Sequence, residues 1–462
     1  MTKSKILKFI FILFLLYLLY ILITCTLVPL LGSRAAAKPN NLSTAENSEQ
    51  VRCIDDNTEA LLWRFRVIEE AEHHLILSTF QFDADQSGRD MLAALNRAAD
   101  RGVHIQILID GLRGPLSVST SPHFKALAAS ENVEIKLYNP INLLTPWTLN
   151  YRLHDKYLIA DDEVYILGGR NTMDLFLGNY QEKQNIDRDM LVYNTGLSEN
   201  TSLQQVKAYF TETWNLPCNR LVSCKRTDKI QTAEEELKLH YEALQKTYPS
   251  AFEQVDWLGS TTPVNRISFL SNPNQATNKE PQLWRSICEI AQSGEHTIIQ
   301  TPYIICSKEM YSSLSALTNA GKQVQIITNA VEAGANPWGC TDYLNQKKNI
   351  LKNGAEVFEY IGEHSLHAKA VLVDDRYSLV GSFNMDMRSA YLDTECMLLI
   401  DSPEINAYLK QEIEEDMTES NHVLPDGTET AGSNFTPRTL PPQKQLIYAF
   451  LRILIIPFRH LL

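Results

Sequence analysis

A five-residue pattern occurs twice in this 462-residue chain, and the repetition constrains its fold more than any other feature. In the first copy His154, Lys156, Asp161, Gly168 and Asn171 stand within HDKYLIADDEVYILGGRN. In the second, His367, Lys369, Asp374, Gly381 and Asn384 stand within HAKAVLVDDRYSLVGSFN. The offsets from the histidine are +2, +7, +14 and +17 in both. Five identities at fixed spacing arise by chance in a chain of this size with a probability on the order of 10⁻⁴, so two copies indicate an internal duplication. The flanking sequence repeats as well. Short β-type runs at Leu75–Thr79 and Thr297–Thr301 each lead through an amphipathic stretch to a Gly turn and a second run, Gly102–Asp110 or Gly321–Asn329. From Gly102 to His154 the chain takes 52 residues, and from Gly321 to His367 it takes 46. Strand, helix and strand in the same order twice predict two α/β units. Neither unit holds a complete site, so a pseudo-dimer with one active site at the interface is expected.

The residue types say what such a site can do. Imidazole titrates near neutrality and serves as nucleophile, base or acid. Residues i and i+2 of an extended segment share a face, so Lys156 and Lys369 should reach the same pocket as their histidines while Asp155 and Ala368 point away. Two ammonium groups beside two imidazoles suit a phosphoryl group, whose charge spreads over its non-bridging oxygens. After each motif a second strand runs into a glycine turn, where Asn171 and Asn384 would add uncharged donors to the same anion.

The pattern resembles the HxKx4Dx6GxxN signature of the phospholipase D superfamily, and the surrounding repeat extends the likeness from about residue 55 to residue 420. GGRN after the first motif and GSFNMDMRSAYLDTE after the second are most similar to the bacterial cardiolipin synthases. The resemblance implies two tandem phospholipase D-like domains and a double displacement on a phosphodiester. It makes His154 the nucleophile and His367 the acid/base, with the reversed assignment standing as the alternative. Lys156, Lys369, Asn171 and Asn384 would hold the phosphate, and Asp161 and Asp374 complete the signature, with a part more structural than chemical. Asp189 in DRDMLVY would orient His154 and Glu395 in DTECMLL would orient His367. No metal or cofactor is implied, and no CxxC or His-x3-His ligand set occurs. The implied substrates are phospholipids: phosphatidylglycerol as acceptor, and phosphatidylglycerol or phosphatidylethanolamine as donor. A hydrolytic phospholipase D, a membrane-anchored nuclease and a non-catalytic lipid-binding protein are the alternatives. A net charge of -13 counts against the nuclease, since nucleic-acid surfaces are usually basic.

The remaining organisation reads from the termini inward. Residues 1–33 form a membrane anchor: Phe9–Leu31 carries no charge and as a helix measures about 34 Å, enough to cross a bilayer. Lys3, Lys5 and Lys8 precede it, which places the amino terminus in the cytoplasm and the body outside. A signal peptide cleaved near Ala35–Ala37 is the alternative, though its apolar core would be shorter. Residues 34–52 are then a linker, 53–226 the first domain and 227–417 the second, opened by a helix over Thr227–Thr247 that bridges the halves. Residues 418–444 are a polar linker. Residues 445–462 form an amphipathic tail, Arg452 and Arg459 seven apart on an apolar segment, suited to a membrane interface or to packing on the body. Cys218 and Cys224 could pair in an oxidising compartment.

Overall fold

Each repeat folds into a nine-stranded mixed sheet in a computed structural model that describes residues 3–40 and 42–462. The first sheet runs in the order Thr262–Pro263, Glu49–Ile54, Asp189–Asn194, Val164–Gly168, Tyr157–Ala160, His74–Thr79, His104–Asp110, Val133–Tyr138, Arg220–Leu221. The second runs Arg266–Ser271, Cys396–Asp401, Tyr377–Gly381, Ala370–Val373, His296–Gln300, Gln323–Asn329, Glu356–Tyr360, Ser420–Val423, Glu429–Ala431. From Glu49–Ile54 and Arg266–Ser271 onward, seven strands correspond one to one, which is the duplication read from the motifs. Three strands at the heart of each sheet are parallel, and the His–Lys strand pairs antiparallel to the first of them.

The strands read as apolar runs because both faces of each sheet are covered. Helices pack on the outer faces. The inner faces meet in one continuous core that joins Ile76, Tyr157, Ile159 and Leu167 to Phe358, Leu372, Val380 and Leu398. Helices Ser202–Trp214 and Pro403–Thr418 flank it through Val206, Phe210, Ile405 and Leu409. Arg188 pins the same junction, paired with Asp55 at 2.7 Å and with Asp416 at 3.8 Å.

Several expected boundaries move. The helix Asp228–Thr247 does not bridge the halves: Ile230, Ala233, Leu237, Tyr241 and Leu244 bury into the outer core of the first half. The first sheet begins before residue 53 and takes back an edge strand at Thr262–Pro263. The stretch expected as a linker from 418 to 444 contains a hairpin, Ser420–Val423 with Glu429–Ala431, that extends the second sheet. Nor is 34–52 loose, since the amides of Ser43 and Ala35 are held by Ser268 Oγ and the Asn278 carbonyl. Cys218 and Cys224 are free thiols, separated by the extended edge strand Arg220–Leu221.

The amino-terminal helix Lys3–Leu31 is long and apolar enough to cross a membrane. The carboxy-terminal tail forms a helix, Pro442–Leu454, and a 3-10 turn, Ile456–Leu461, the break falling where Pro457 cannot continue an α-helix. One face of the tail docks: Tyr448 and Ile455 are buried, Arg459 pairs with Asp342 at 2.7 Å, and the Leu462 carbonyl accepts from the Arg388 amide. The other face, with Leu446, Phe450, Ile453 and Ile456, is exposed. The docked face bears out packing of the tail on the body.

Candidate active site

Each motif enters the site just before its strand begins, at Tyr157 and Ala370, and leaves through the turn after Gly168 and Gly381. Those glycines are required by close approach. A Cβ on Gly168 would strike Asp189 and the Arg188 carbonyl, and one on Gly381 would strike the Cys396 carbonyl.

The two histidines meet carboxylates from the opposite half. His154 Nδ1 lies 2.8 Å from Glu395 Oε1, and His367 Nδ1 lies 2.5 Å from Asp187 Oδ2. The backbone is exchanged in the same reciprocal way. The His154 amide donates to Thr394 Oγ and the Thr394 amide to the Arg152 carbonyl. On the other side, the His367 amide donates to the Ile186 carbonyl, where Ser365–Leu366 pairs with Asn185–Ile186. Phe80 stands edge-on to His154 and Phe176 edge-on to His367, fixing the ring planes. Lys156 Nζ donates to the His154 carbonyl at 2.6 Å, and Lys369 Nζ sits against His367 Nδ1 at 2.6 Å and Asp187 at 3.8 Å. Both lysines are buried.

The expected acid–histidine pairs are thus corrected at both histidines. Glu395 supports His154 rather than His367. The partner of His367 is Asp187, which is not among the expected site residues, and not Asp189. Asp189 lies two residues further, inside the core, between Arg64 at 2.9 Å and Arg170 of GGRN at 3.3 Å. Strand register gives the reason. Gly168 faces Asp189 whereas Gly381 faces Met397, so the counterpart of Glu395 is Asp187. Shared Met-Leu pairs, Met190-Leu191 and Met397-Leu398, misalign the two segments by one residue. Spacing from the glycine turn does not reveal Asp187 either, since it stands 19 residues after Gly168 whereas Glu395 stands 14 after Gly381.

Asp161 and Asp374 are also displaced from the expected site. Seven residues along the strand from each histidine is roughly 23 Å when extended, and both aspartates turn the far end of the sheet. Asp161 accepts from the amides of Glu72, His73 and His74 at 2.7–3.1 Å, and Asp374 from Glu295 and His296 at 2.9 Å. Each adopts a positive φ, 50° and 51°, a conformation that Asp tolerates better than most residues. Asp161→Ala should accordingly cost about 2–3 kcal/mol, from lost amide bonds and backbone strain. Thermal unfolding should show the loss while turnover per folded molecule stays within about twofold, the expected signature of a structural role.

The signature asparagines are close to the histidines in sequence and buried. Asn171 Oδ1 accepts from the Gln81 amide at 3.3 Å, which leaves its NH2 end as a donor. Asn384 Oδ1 has no protein partner among the described residues.

Burial dominates the electrostatics. It holds His154 well below the usual imidazole range, aided by Lys156 and Lys369, and it holds His367 at about 4, aided by Lys369 and Lys156. Each histidine therefore senses the lysine of the other half, so the two motifs share one site. Burial also lowers Lys369 to about 8 and pushes Glu395 up to about 8, although Lys156 and the Ser382 and Ser389 hydroxyls pull Glu395 back. Asp187 differs. Burial would raise it, but Lys369 and His367 outweigh burial and hold it below the usual carboxylate range. The two triads are electrically unlike, with an ionised acid behind His367 and a readily protonated one behind His154.

Comparison with known proteins agrees with this geometry. Residues 65–214 and 286–417 match the family described as cardiolipin synthase, PLD-like domain. The chain belongs to this family. It is 25% identical to cardiolipin synthase C of Escherichia coli over 76% of its own length and 80% of the relative's. It is 27% identical to cardiolipin synthase 1 of Bacillus cereus over 84% and 69% of the two chains. An uncharacterized protein of Helicobacter pylori is 25% identical over 85% and 84%. The crystal structure of phosphatidylserine synthase from Haemophilus influenzae superposes with a TM-score of 0.61 over 92% of this chain and 97% of that one at 17% identity, a likeness of fold. The chain is a cardiolipin synthase-like enzyme of the phospholipase D family.

Proposed function

We propose that the protein is a membrane-bound phosphatidyltransferase that makes cardiolipin on a phosphohistidine intermediate. The observation that carries this reading is the convergence of both His–Lys pairs, each histidine backed by an acid of the opposite half. His154, kept neutral, attacks phosphorus through Nε2 while Nδ1 is held by Glu395. The P–O bond to the donor's alcohol breaks, and His367 gives that alkoxide a proton. His367 then removes the proton of an incoming phosphatidylglycerol hydroxyl, the new P–O bond forms, and the P–N bond to His154 breaks. The ionised Asp187 favours a proton on His367, which suits the acid/base role, and the charge of an approaching phosphodiester anion opposes the burial that otherwise holds His367 at about 4. Lys156, Lys369 and the asparagine amides stabilise charge on the phosphoryl oxygens. The amino-terminal helix would hold the body on the extracytoplasmic face, and the exposed face of the tail would rest at the interface.

Product analysis tests the reading. Purified protein with phosphatidylglycerol should form cardiolipin and glycerol, and His154→Ala protein should form neither. Ethanolamine release on adding phosphatidylethanolamine would name a second donor. Phosphatidic acid alone would make water the acceptor and the enzyme a hydrolase.

A pH dependence follows from the same groups. Lys369 loses its charge as pH rises through about 8, and Glu395 gains one over the same interval. Both changes repel an anionic phosphodiester. A glycerophosphodiester inhibitor, whose own charge is constant there, should bind with a flat Ki from pH 5 to pH 7 that rises at least about tenfold by pH 9. Glu395→Gln should make that rise shallower. A flat Ki through pH 9 would count against cationic capture of the phosphate by Lys369.

A further inference from the structure

The amino-terminal helix is docked to the body along half its length, and that docking carries a consequence for where the body lies. Ser4–Leu16 is free of the body, every residue exposed, whereas Tyr17, Ile21, Thr24, Cys25 and Val28 form one partly buried stripe. The helix end is fixed rigidly, since the Asn278 amide donates to the carbonyls of Val28 and Gly32 at 3.2 and 3.0 Å. The free part is 13 residues, or about 20 Å, against a hydrocarbon core of about 30 Å. A crossing helix must therefore place at least seven or so further residues, through Tyr17 and Tyr20, inside the bilayer. With Lys5 and Lys8 kept at the far interface the immersed part is longer still.

Whatever packs on Tyr17 and Tyr20 enters with them. That segment is the loop before His154. No charged residue occurs from Leu137 to Tyr151, and Ile141, Leu143 and Leu144 are 51%, 65% and 83% exposed. Several of its polar groups are paired within the protein. The Tyr17 hydroxyl donates to the Leu143 carbonyl at 2.6 Å and the Tyr20 hydroxyl to the Leu144 carbonyl at 3.2 Å. The Leu144 amide donates to Asn142 Oδ1 and the Thr145 amide to the Asn142 carbonyl. Irregular backbone at membrane depth needs internal partners of this kind, because hydrocarbon supplies none.

We propose that the loop Ile141–Pro146 is inserted among the acyl chains beside the amino-terminal helix, so that the enzyme is partly embedded and not tethered above the surface. This rests on the reading that the helix crosses the bilayer. The link to the active site is short. The Asn150 amide donates to the Cys25 carbonyl at 2.8 Å, and Arg388 bridges the Asn150 carbonyl to Asp393, two residues before Glu395. His154 follows Asn150 by four residues, so the nucleophile's segment is braced directly on the membrane helix.

Depth-dependent quenching tests this with the full chain in phosphatidylcholine vesicles brominated at mid acyl chain. Leu144→Trp and Ile141→Trp place a fluorophore on the loop, Leu16→Trp places one on the free part of the helix, and Leu239→Trp marks the solvent-facing body. Quenching beyond that of the parent protein should reach at least half the Leu16→Trp value at Leu144→Trp or Ile141→Trp, and be absent at Leu239→Trp. Strong quenching at Leu16→Trp with little at both loop positions would overturn the insertion and leave the crossing helix standing. No added quenching at Leu16→Trp would overturn both. Equal quenching at Leu239→Trp would show that the probe does not report depth, and the loop values would then be read against spin-labelled headgroups, where an inserted loop is quenched less than Leu239→Trp and a surface loop equally.

Discussion

Under the proposed mechanism, alanine at His154 should reduce phosphatidyl transfer by at least about 10⁴-fold, because it deletes the atom that would bond to phosphorus and no other group replaces it. Alanine at His367 should give a loss of similar size on natural lipids, so overall rates do not tell the two apart. A donor that leaves without a proton does. With a p-nitrophenyl ester of phosphatidic acid, His367→Ala protein should release p-nitrophenolate in a burst of about one equivalent per site and then stall, since the phosphohistidine lacks a base to activate its acceptor. The phosphatidyl label should remain on the protein as an acid-labile, base-stable adduct. His154→Ala should show neither burst nor adduct. The mirror-image result would exchange the two roles, and a full steady-state rate in either variant would end the covalent mechanism. The assignment draws on an asymmetry in the folded protein: Asp187 is ionised behind His367, while Glu395 and His154 form a pair that burial keeps close to neutral.

That asymmetry was not legible in the sequence, although most of the architecture was. The repeated motif and the runs around it predicted two α/β units, and seven strands of each sheet correspond in order. Both histidines and both lysines come together as the motif chemistry required. What failed was anything that depended on how the halves meet. The resemblance implies acids that serve the histidine of their own half, whereas the loops after each motif cross over and serve the opposite histidine. Asp189 was chosen over Asp187 because apolar residues follow both DRDM and DTECM. Only the ladder register, in which Gly168 faces Asp189 and Gly381 faces Met397, matches Glu395 to Asp187. Phe80 and Phe176, which hold the rings, carry no motif at all and lie in segments that look like ordinary core. The helix Asp228–Thr247 read as a bridge because it is charged and lies between the repeats, but its five buried side chains give it an apolar stripe that the first half alone satisfies.

The two neighbouring aspartates offer the sharpest separation of chemistry from stability, since each is fully buried and each faces cations. Asp187→Asn should leave the fold intact. Lys369, already lowered to about 8, can release its proton when its counter-charge is removed, so no stranded cation results. The amide, however, no longer stabilises positive charge on His367 and can fix the wrong tautomer, for which a loss of about 10²–10⁴ in kcat is expected. Asp189→Asn should do the reverse. Arg64 and Arg170 are 7% and 0% exposed at their side chains and cannot deprotonate, so removing the charge between them leaves two buried guanidiniums without their direct ion-pair partner, at about 3–5 kcal/mol. A large fall in melting temperature is expected, with near-normal turnover in whatever fraction remains folded. Thermal unfolding and active-site titration on both variants distinguish the cases. If Asp189→Asn were the stable, inactive protein and Asp187→Asn the unstable one, the acid behind His367 would be misassigned and the exchange of acids between the halves would lose its support. The prediction therefore tests more than two side chains: it asks whether the active site exists only where the two repeats close on each other.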